Sequence, residues 1–164
     1  MAHSDHISGW KGTALWVGLT AATAVVGSLA STEAGVFYAT LNKPGWAPPA
    51  WLFGPVWSVL YALMAGAAVM AHRRLGSRPQ ALDALRLYAV ALIPNALWSW
   101  AFFRWHLGGV ALAVNIVLWA LLLATVIAFR RVRAASAALM VPVLLWVAFA
   151  IALNAALLPL NPSL

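Results

Sequence analysis

The sequence predicts an all-α integral membrane bundle of five transmembrane helices, with one long, structured Trp/Pro-rich loop after the first. Three observations predict it. The chain is 65% hydrophobic with only 8% charged residues, and its mean hydropathy is +0.91. A soluble domain carries about 25% charge, so the solvent for this surface is a bilayer. Five apolar runs recur along the 164 residues, each near the roughly 20 residues that a helical span needs. Between the first two runs lies Leu41–Tyr61, LNKPGWAPPAWLFGPVWSVLY, where Trp46, Trp51 and Trp57 alternate with Pro44, Pro48, Pro49 and Pro55.

The runs cover about 13–31, 53–72, 82–103, 109–129 and 137–158 of a single domain. In lipid every backbone N–H and C=O must be paired within its own segment, so each run is a helix. The first lacks the charged n-region and small-residue cleavage site of a removed signal peptide, and is expected to stay as a span. Its Thr23, Gly27 and Ser31 form a small-residue row. The second places Phe53, Trp57, Tyr61 and Met64 on one face, with Ala62 and Gly66 as a close-contact row. The third is bent by Pro94, which frees a carbonyl for Ser99 or a water to pair. Asp83 suits its positive start. Asn95, Trp98 and Phe102 share a face. The fourth carries Ala120, Ala124 and Ala128 and ends in Arg130 and Arg131, which suit its negative end. The fifth takes Pro142 within its first two turns and aligns Trp146, Ala150 and Asn154, flanked by Phe149 and Leu153. Small-residue rows suit bundle packing or a homodimer seam.

The first loop, about 32–52, far exceeds the others in length. Long loops in compact domains are functional or disordered. Here the prolines fix φ and the indoles demand cover, so an ordered lid is expected. The loops after spans two and four hold Arg73, Arg74, Arg78, Arg130, Arg131 and Arg133, whereas the other side has Lys43 and Arg104. The positive-inside rule then puts the N-terminus in the cytoplasm, the C-terminus outside and the Trp/Pro loop outward. In a bacterium a helical bundle goes by default to the cytoplasmic membrane.

Composition excludes several chemistries. A net charge of +7 and a pI near 11.3 can mark nucleic-acid binding. Here the cations sit at the ends of apolar runs, where they meet lipid phosphates, and no nucleic-acid partner is expected. Cysteine is absent, so there is no disulfide, thiolate site or cysteine nucleophile. His3, His6, His72 and His106 are scattered over tails and loops, so no metal is expected. The acids are only Asp5, Glu33 and Asp83, all at span ends. No carboxylate pair, triad, phosphate loop or mid-membrane proton relay is available.

What remains is amides and aromatics. An unpaired amide in hydrocarbon is costly, so Asn95 and Asn154 should face the interior. For Asn154, helix–helix packing and ligand contact are equally open; Asn95 beside Trp98 points to a ligand. Trp51, Trp57, Asn95, Trp98, Phe102 and Asn154 all fall in the outer half of their spans, beneath the lid. That convergence predicts a pocket. Trp10, Trp16, Trp105 and Tyr38 read as interfacial anchors.

Three ordered segments, LNKPGWAPPAWLFGPVWSVLY at 41–61, NALWSWAFF at 95–103 and VPVLLWVAFAIALN at 141–154, resemble the TspO/MBR family. These are the bacterial tryptophan-rich sensory proteins and the mitochondrial translocator protein, or peripheral-type benzodiazepine receptor. The resemblance spans Leu41 to Asn161 and implies a five-helix bundle, usually dimeric, with its pocket under the first loop. By motif match it assigns ligand contacts to Trp46, Trp51, Asn95, Trp98, Phe102, Trp146, Phe149, Ala150, Leu153 and Asn154, to which the shared face of the second span adds Phe53 and Trp57. It also leaves an outer-membrane location open. Val143 replaces a frequent tyrosine, Gly45 a frequent tryptophan, and Pro94 is unusual before the asparagine. Ala155 and Leu158 stand where the animal cholesterol motif has Tyr and Arg, which speaks against sterol binding there.

The implied function is a membrane receptor or carrier for tetrapyrroles such as protoporphyrin IX and for benzodiazepine-site ligands, in transport, sensing or stress response. Porphyrin is then a ligand, and no cofactor is expected. Two alternatives stay open. One is a light- and oxygen-dependent porphyrin-degrading enzyme, with Trp46 and Trp51 as redox partners. The other is a structural or partner-binding membrane protein.

Overall fold

The structure, a computed structural model, describes residues 9–164. His3, Asp5, His6 and the tail that bears on the signal-peptide question lie outside the described residues. Five long helices form the bundle: α1 (Gly9–Ala30), α3 (Phe53–His72), α4 (Ala81–Ser99), α5 (Gly108–Val132) and α6 (Ala134–Leu157). A short helix, α2 (Ala34–Thr40), lies inside the first loop. Around the bundle the long helices run α1, α3, α6, α5, α4 and back to α1, with α3 also touching α4.

The chain is an integral membrane protein. On length and composition α1, α3 with its lead-in turn, α5 and α6 can each cross a bilayer. The fifth, α4, is set apart by the Asp83–Arg86 ion pair, 3.0 Å long, in its first turns. One face of it is packed against its neighbours. Ala84, Leu85, Tyr88, Ala91, Asn95 and Trp98 are all buried. Its polar Asn95 lies on that buried face, while the opposite face exposes Leu82, Val90, Ile93 and Leu97. Beyond Ser99 the chain continues as a π-helical turn over Trp100–Arg104, closed by Trp105 N–H on the Trp100 carbonyl at 2.9 Å. The 19 residues of α4 and 5 of this turn reach about 36 Å at 1.5 Å per residue, enough to span.

Several boundaries shift. α1 begins at Gly9 rather than near 13, so Trp10 and Lys11 sit in its first turn. The expected loop between spans four and five shrinks to Arg133 alone, in extended conformation between two helices. Pro142 therefore falls in the third turn of α6, deeper than expected. The long loop is ordered, but the sequence reading gave it no helix. The run AGVFYAT contains no proline, and Lys43 closes its end by donating to the Tyr38 and Leu41 carbonyls at 2.8 Å each. That cation satisfies carbonyls which a helix end leaves unpaired. Pro55 lies in the first turn of α3, where a missing N–H costs nothing.

Two cores fill the bundle. Near the arginine-rich end, Met64, Ala67, Leu85, Tyr88, Leu122 and Phe129 pack with Met140 and Val143. Near the loop end, Tyr38, Leu41, Trp98, Phe102, Leu153 and Leu157 form an aromatic core. Two expected anchors are core residues instead. Trp16 is buried, and its indole N–H donates to His72 Nδ1 at 3.2 Å. His72 thus belongs to the last turn of α3, not to a loop, and its ring fills the space above Gly12, where a Cβ would collide with it. Tyr38, in α2 of the first loop, is buried too, and burial pushes its phenol pKa up. Trp10 and Trp105 are exposed.

Candidate functional site

A cavity of about 720 Å³ opens between α1, α3 and α4. Its shape follows from side-chain size. Ala21, Ala24 and Gly27 on α1 face Phe53, Trp57 and Tyr61 on α3, Trp98 at the end of α4 and Phe103 in the π-helical turn after it. Small residues opposite large rings leave the space that two aromatic faces would fill. Tyr38 and Ala50 of the first loop roof it. On one side it is open. Ala21, Val25 and Ser28 form one lip and Gly54, Ser58 and Ala62 the other, all exposed on helices that span the membrane. Among the described residues, no charged side chain lines it.

The roof is tied down from three places. Tyr38 OH donates to the Pro48 carbonyl at 3.1 Å. Lys43 caps α2 as above. The C-terminal segment supplies the third tie. Asn161 accepts from Asn42 N–H at 2.9 Å and donates to the Asn42 and Leu157 carbonyls at 2.9 and 2.8 Å. Asn42 Nδ2 donates to the Leu160 carbonyl at 3.2 Å.

The aromatic wall is continuous. Trp57 and Trp98 have ring centroids 6.5 Å apart at 33°, and Trp57 lies 5.4 Å from Tyr61. Tyr61 OH donates to Asn95 Oδ1 at 2.7 Å. On the same turn of α4, Asn95 Nδ2 and Trp98 Nε1 are buried donors with no partner among the described residues. Unpaired buried donors are uncommon, and each costs desolvation energy.

The residues singled out by sequence divide into three groups. Phe53, Trp57 and Trp98 line the open cavity, and Asn95 reaches it through Tyr61. Phe102, Trp146, Ala150, Leu153 and Asn154, with Phe53 and Trp98 again, enclose a second crevice of only about 20 Å³ between α3, α4 and α6. Trp98 stacks on Phe102 there, 5.8 Å apart at 11°. Phe149 lies behind, against Trp146 at 5.3 Å and Trp46 at 5.9 Å. The third group lines neither space. Trp51 is 71% exposed, and Trp46 is 52% exposed with its ring on Phe149. Asn154 of the second group is buried, and its amide, oriented as its neighbours require, accepts from Leu112 N–H at 3.0 Å and donates to the Gly108 carbonyl at 3.3 Å. That is packing against the start of α5.

Sequence reasoning missed the α1 wall, Tyr38 and Phe103. Gly27 and Ser31 were assigned to a helix seam but face the cavity. Tyr61 shared the Phe53/Trp57 face, and that periodicity was the available signal. Ser99 does not pair a carbonyl freed by Pro94; its Oγ lies toward Gly27 instead.

The profile of the TspO/MBR family matches residues 16–159. A tryptophan-rich protein TspO of Chlorobaculum tepidum is 37% identical over 91% of this chain and 95% of its own length. The tryptophan-rich sensory protein of Cereibacter sphaeroides is 39% identical over 76% of this chain and 77% of its own. The bovine translocator protein is 37% identical over 72% of this chain and 70% of its own. Matched from α1 to the end of α6, with a roofed aromatic cavity between α1, α3 and α4, the chain belongs to the TspO/MBR family.

Proposed function

We propose that this protein is a membrane receptor or carrier for tetrapyrroles such as protoporphyrin IX, and for other flat apolar ligands of the benzodiazepine-site type. The observation that carries the reading is the wall of Phe53, Trp57, Trp98 and Phe103 facing the small side chains of α1. A volume near 720 Å³ suits a drug-sized molecule or a macrocycle. Indole faces favour flat π systems by about 0.5–1.5 kcal/mol per contact beyond area burial. Uncharged walls favour an apolar ring and keep ionised groups at the mouth. The exposed lips on α1 and α3 let such a ligand exchange with lipid. The relatives' names, sensory protein and translocator protein, support a role in sensing or transport.

In this reading the chain works as a homodimer in the bacterial cytoplasmic membrane, N-terminus inside and C-terminus outside. Arg73, Arg74, Arg78, Arg130, Arg131 and Arg133 gather at the end of the bundle opposite the roof, which supports that orientation. A C-terminal reporter active only in the cytoplasm would overturn it. Titration of protoporphyrin IX into the purified protein, dark and illuminated, tests the function. Saturable binding without loss of the porphyrin spectrum under light is expected. Bleaching under light would make the protein a porphyrin-degrading enzyme, and absence of binding would leave a structural role.

A further inference from the structure

The cavity contains one hydroxyl that differs from all the others. Thr20, Ser28, Ser31 and Ser58 bond back to carbonyls of their own helices at 2.8–2.9 Å. The phenols of Tyr38 and Tyr61 donate to Pro48 and Asn95. Ser99 also lines the cavity, yet among the described residues its Oγ has no hydrogen-bond partner. It is the last residue of α4 before the π turn. A serine on a spanning helix ordinarily satisfies its hydroxyl on the preceding turn, because hydrocarbon offers no alternative.

Space is kept beside this hydroxyl. Gly27 of α1 stands opposite, and a Cβ there would lie 3.4 Å from Ser99 Oγ and 3.7 Å from Tyr61 OH. Those are ordinary contact distances. An alanine would fit the fold and occupy the room next to the hydroxyl. A free donor, a small gap and uncharged walls describe a docking point for one hydrogen-bond acceptor. The acceptor must be neutral, because a carboxylate at this depth would have no cation beside it.

We propose that Ser99, facing Gly27, determines specificity by donating a hydrogen bond to an uncharged acceptor, such as a carbonyl, on the ligand edge that enters between α1 and α4. The proposal rests on reading this cavity as the ligand site. It adds to the aromatic wall a polar contact that selects ketone, ester or amide carbonyls over carboxylates.

The test uses the full-length protein in lipid and benzophenone carrying a ¹³C carbonyl, read by infrared difference spectroscopy. In wild type a saturable carbonyl band shifted to lower frequency is expected. Ser99→Ala should abolish the shifted band and weaken binding about fivefold, as for a single lost hydrogen bond. Ser99→Thr should restore the band. Gly27→Ala should weaken binding while the melting temperature stays unchanged, which keeps a second variant in play if the first is perturbed. A shifted band that survives Ser99→Ala, or no shifted band in wild type, overturns the proposal. Protoporphyrin IX is added last as competitor. If it neither binds nor displaces a Ser99-dependent ketone, the tetrapyrrole reading fails while the role of Ser99 stands.

Discussion

The two sides of α4 make an instructive pair. Towards α1, Trp98 looks onto an open cavity of about 720 Å³; towards α6, the same residue helps seal a crevice of about 20 Å³. Both sides carry aromatic rings. The difference lies in the opposing helix. α1 presents alanine, glycine and serine, whereas α6 presents Trp146, Ala150 and Leu153 with Phe149 behind. Rings facing rings interlock and close; rings facing small residues leave room. Aromatic density alone therefore does not locate a binding site in this bundle.

Filling each side in turn is the strongest way to break the comparison. Ala24→Phe should cost protoporphyrin IX at least about 100-fold in affinity, because it occupies space the ligand needs. Ala150→Phe should leave affinity within about twofold but cost roughly 1–3 kcal/mol of stability, because that side is already packed. Titration and thermal melting on both variants decide. Equal losses of affinity would mean that the closed crevice opens to admit ligand.

The roof should respond next. Asn161→Ala removes three hydrogen bonds, two of them to Asn42, and should destabilise the first loop by about 2 kcal/mol. Hydrogen exchange across residues 34–52 should rise while α5 stays protected. Asn95→Ala strands the Tyr61 hydroxyl, and should weaken porphyrin about fivefold by titration. Unchanged affinity in a folded variant would make Asn95 a packing residue like Asn154.

The smallest effect is expected at the loop indoles. Read from sequence, removal of both Trp46 and Trp51 should cost much affinity. In the structure neither lines the open cavity, so the Trp46→Ala/Trp51→Ala pair should change porphyrin affinity by less than about threefold, well below one stacking contact on each face. Trp51→Phe should be smaller still. A large loss would show that the roof folds inward on binding.

These outcomes also mark what was legible in the chain. The five spans follow from apolar run length, and burial of Asn95 and Asn154 follows from the cost of an amide in lipid. Half of the candidate site was legible for the same reason: Phe53, Trp57 and Trp98 repeat on helical faces. The α1 wall was not, because Ala24 and Gly27 look the same in a helix seam and beside a cavity. Only the partner across the gap tells them apart. The helix α2 was hidden by prolines that follow it, and the exposure of Trp51 depends on which way a 3₁₀ turn faces at the start of α3.

The tie between Asn42 and Asn161 joins residues 119 apart in sequence. The residue that fastens the roof follows α6, so it is translated after the loop it holds. Until α6 is in place, the loop between α1 and α3 lacks this tie. The clasp thus couples order in the cover of the cavity to the seating of the segment that follows α6.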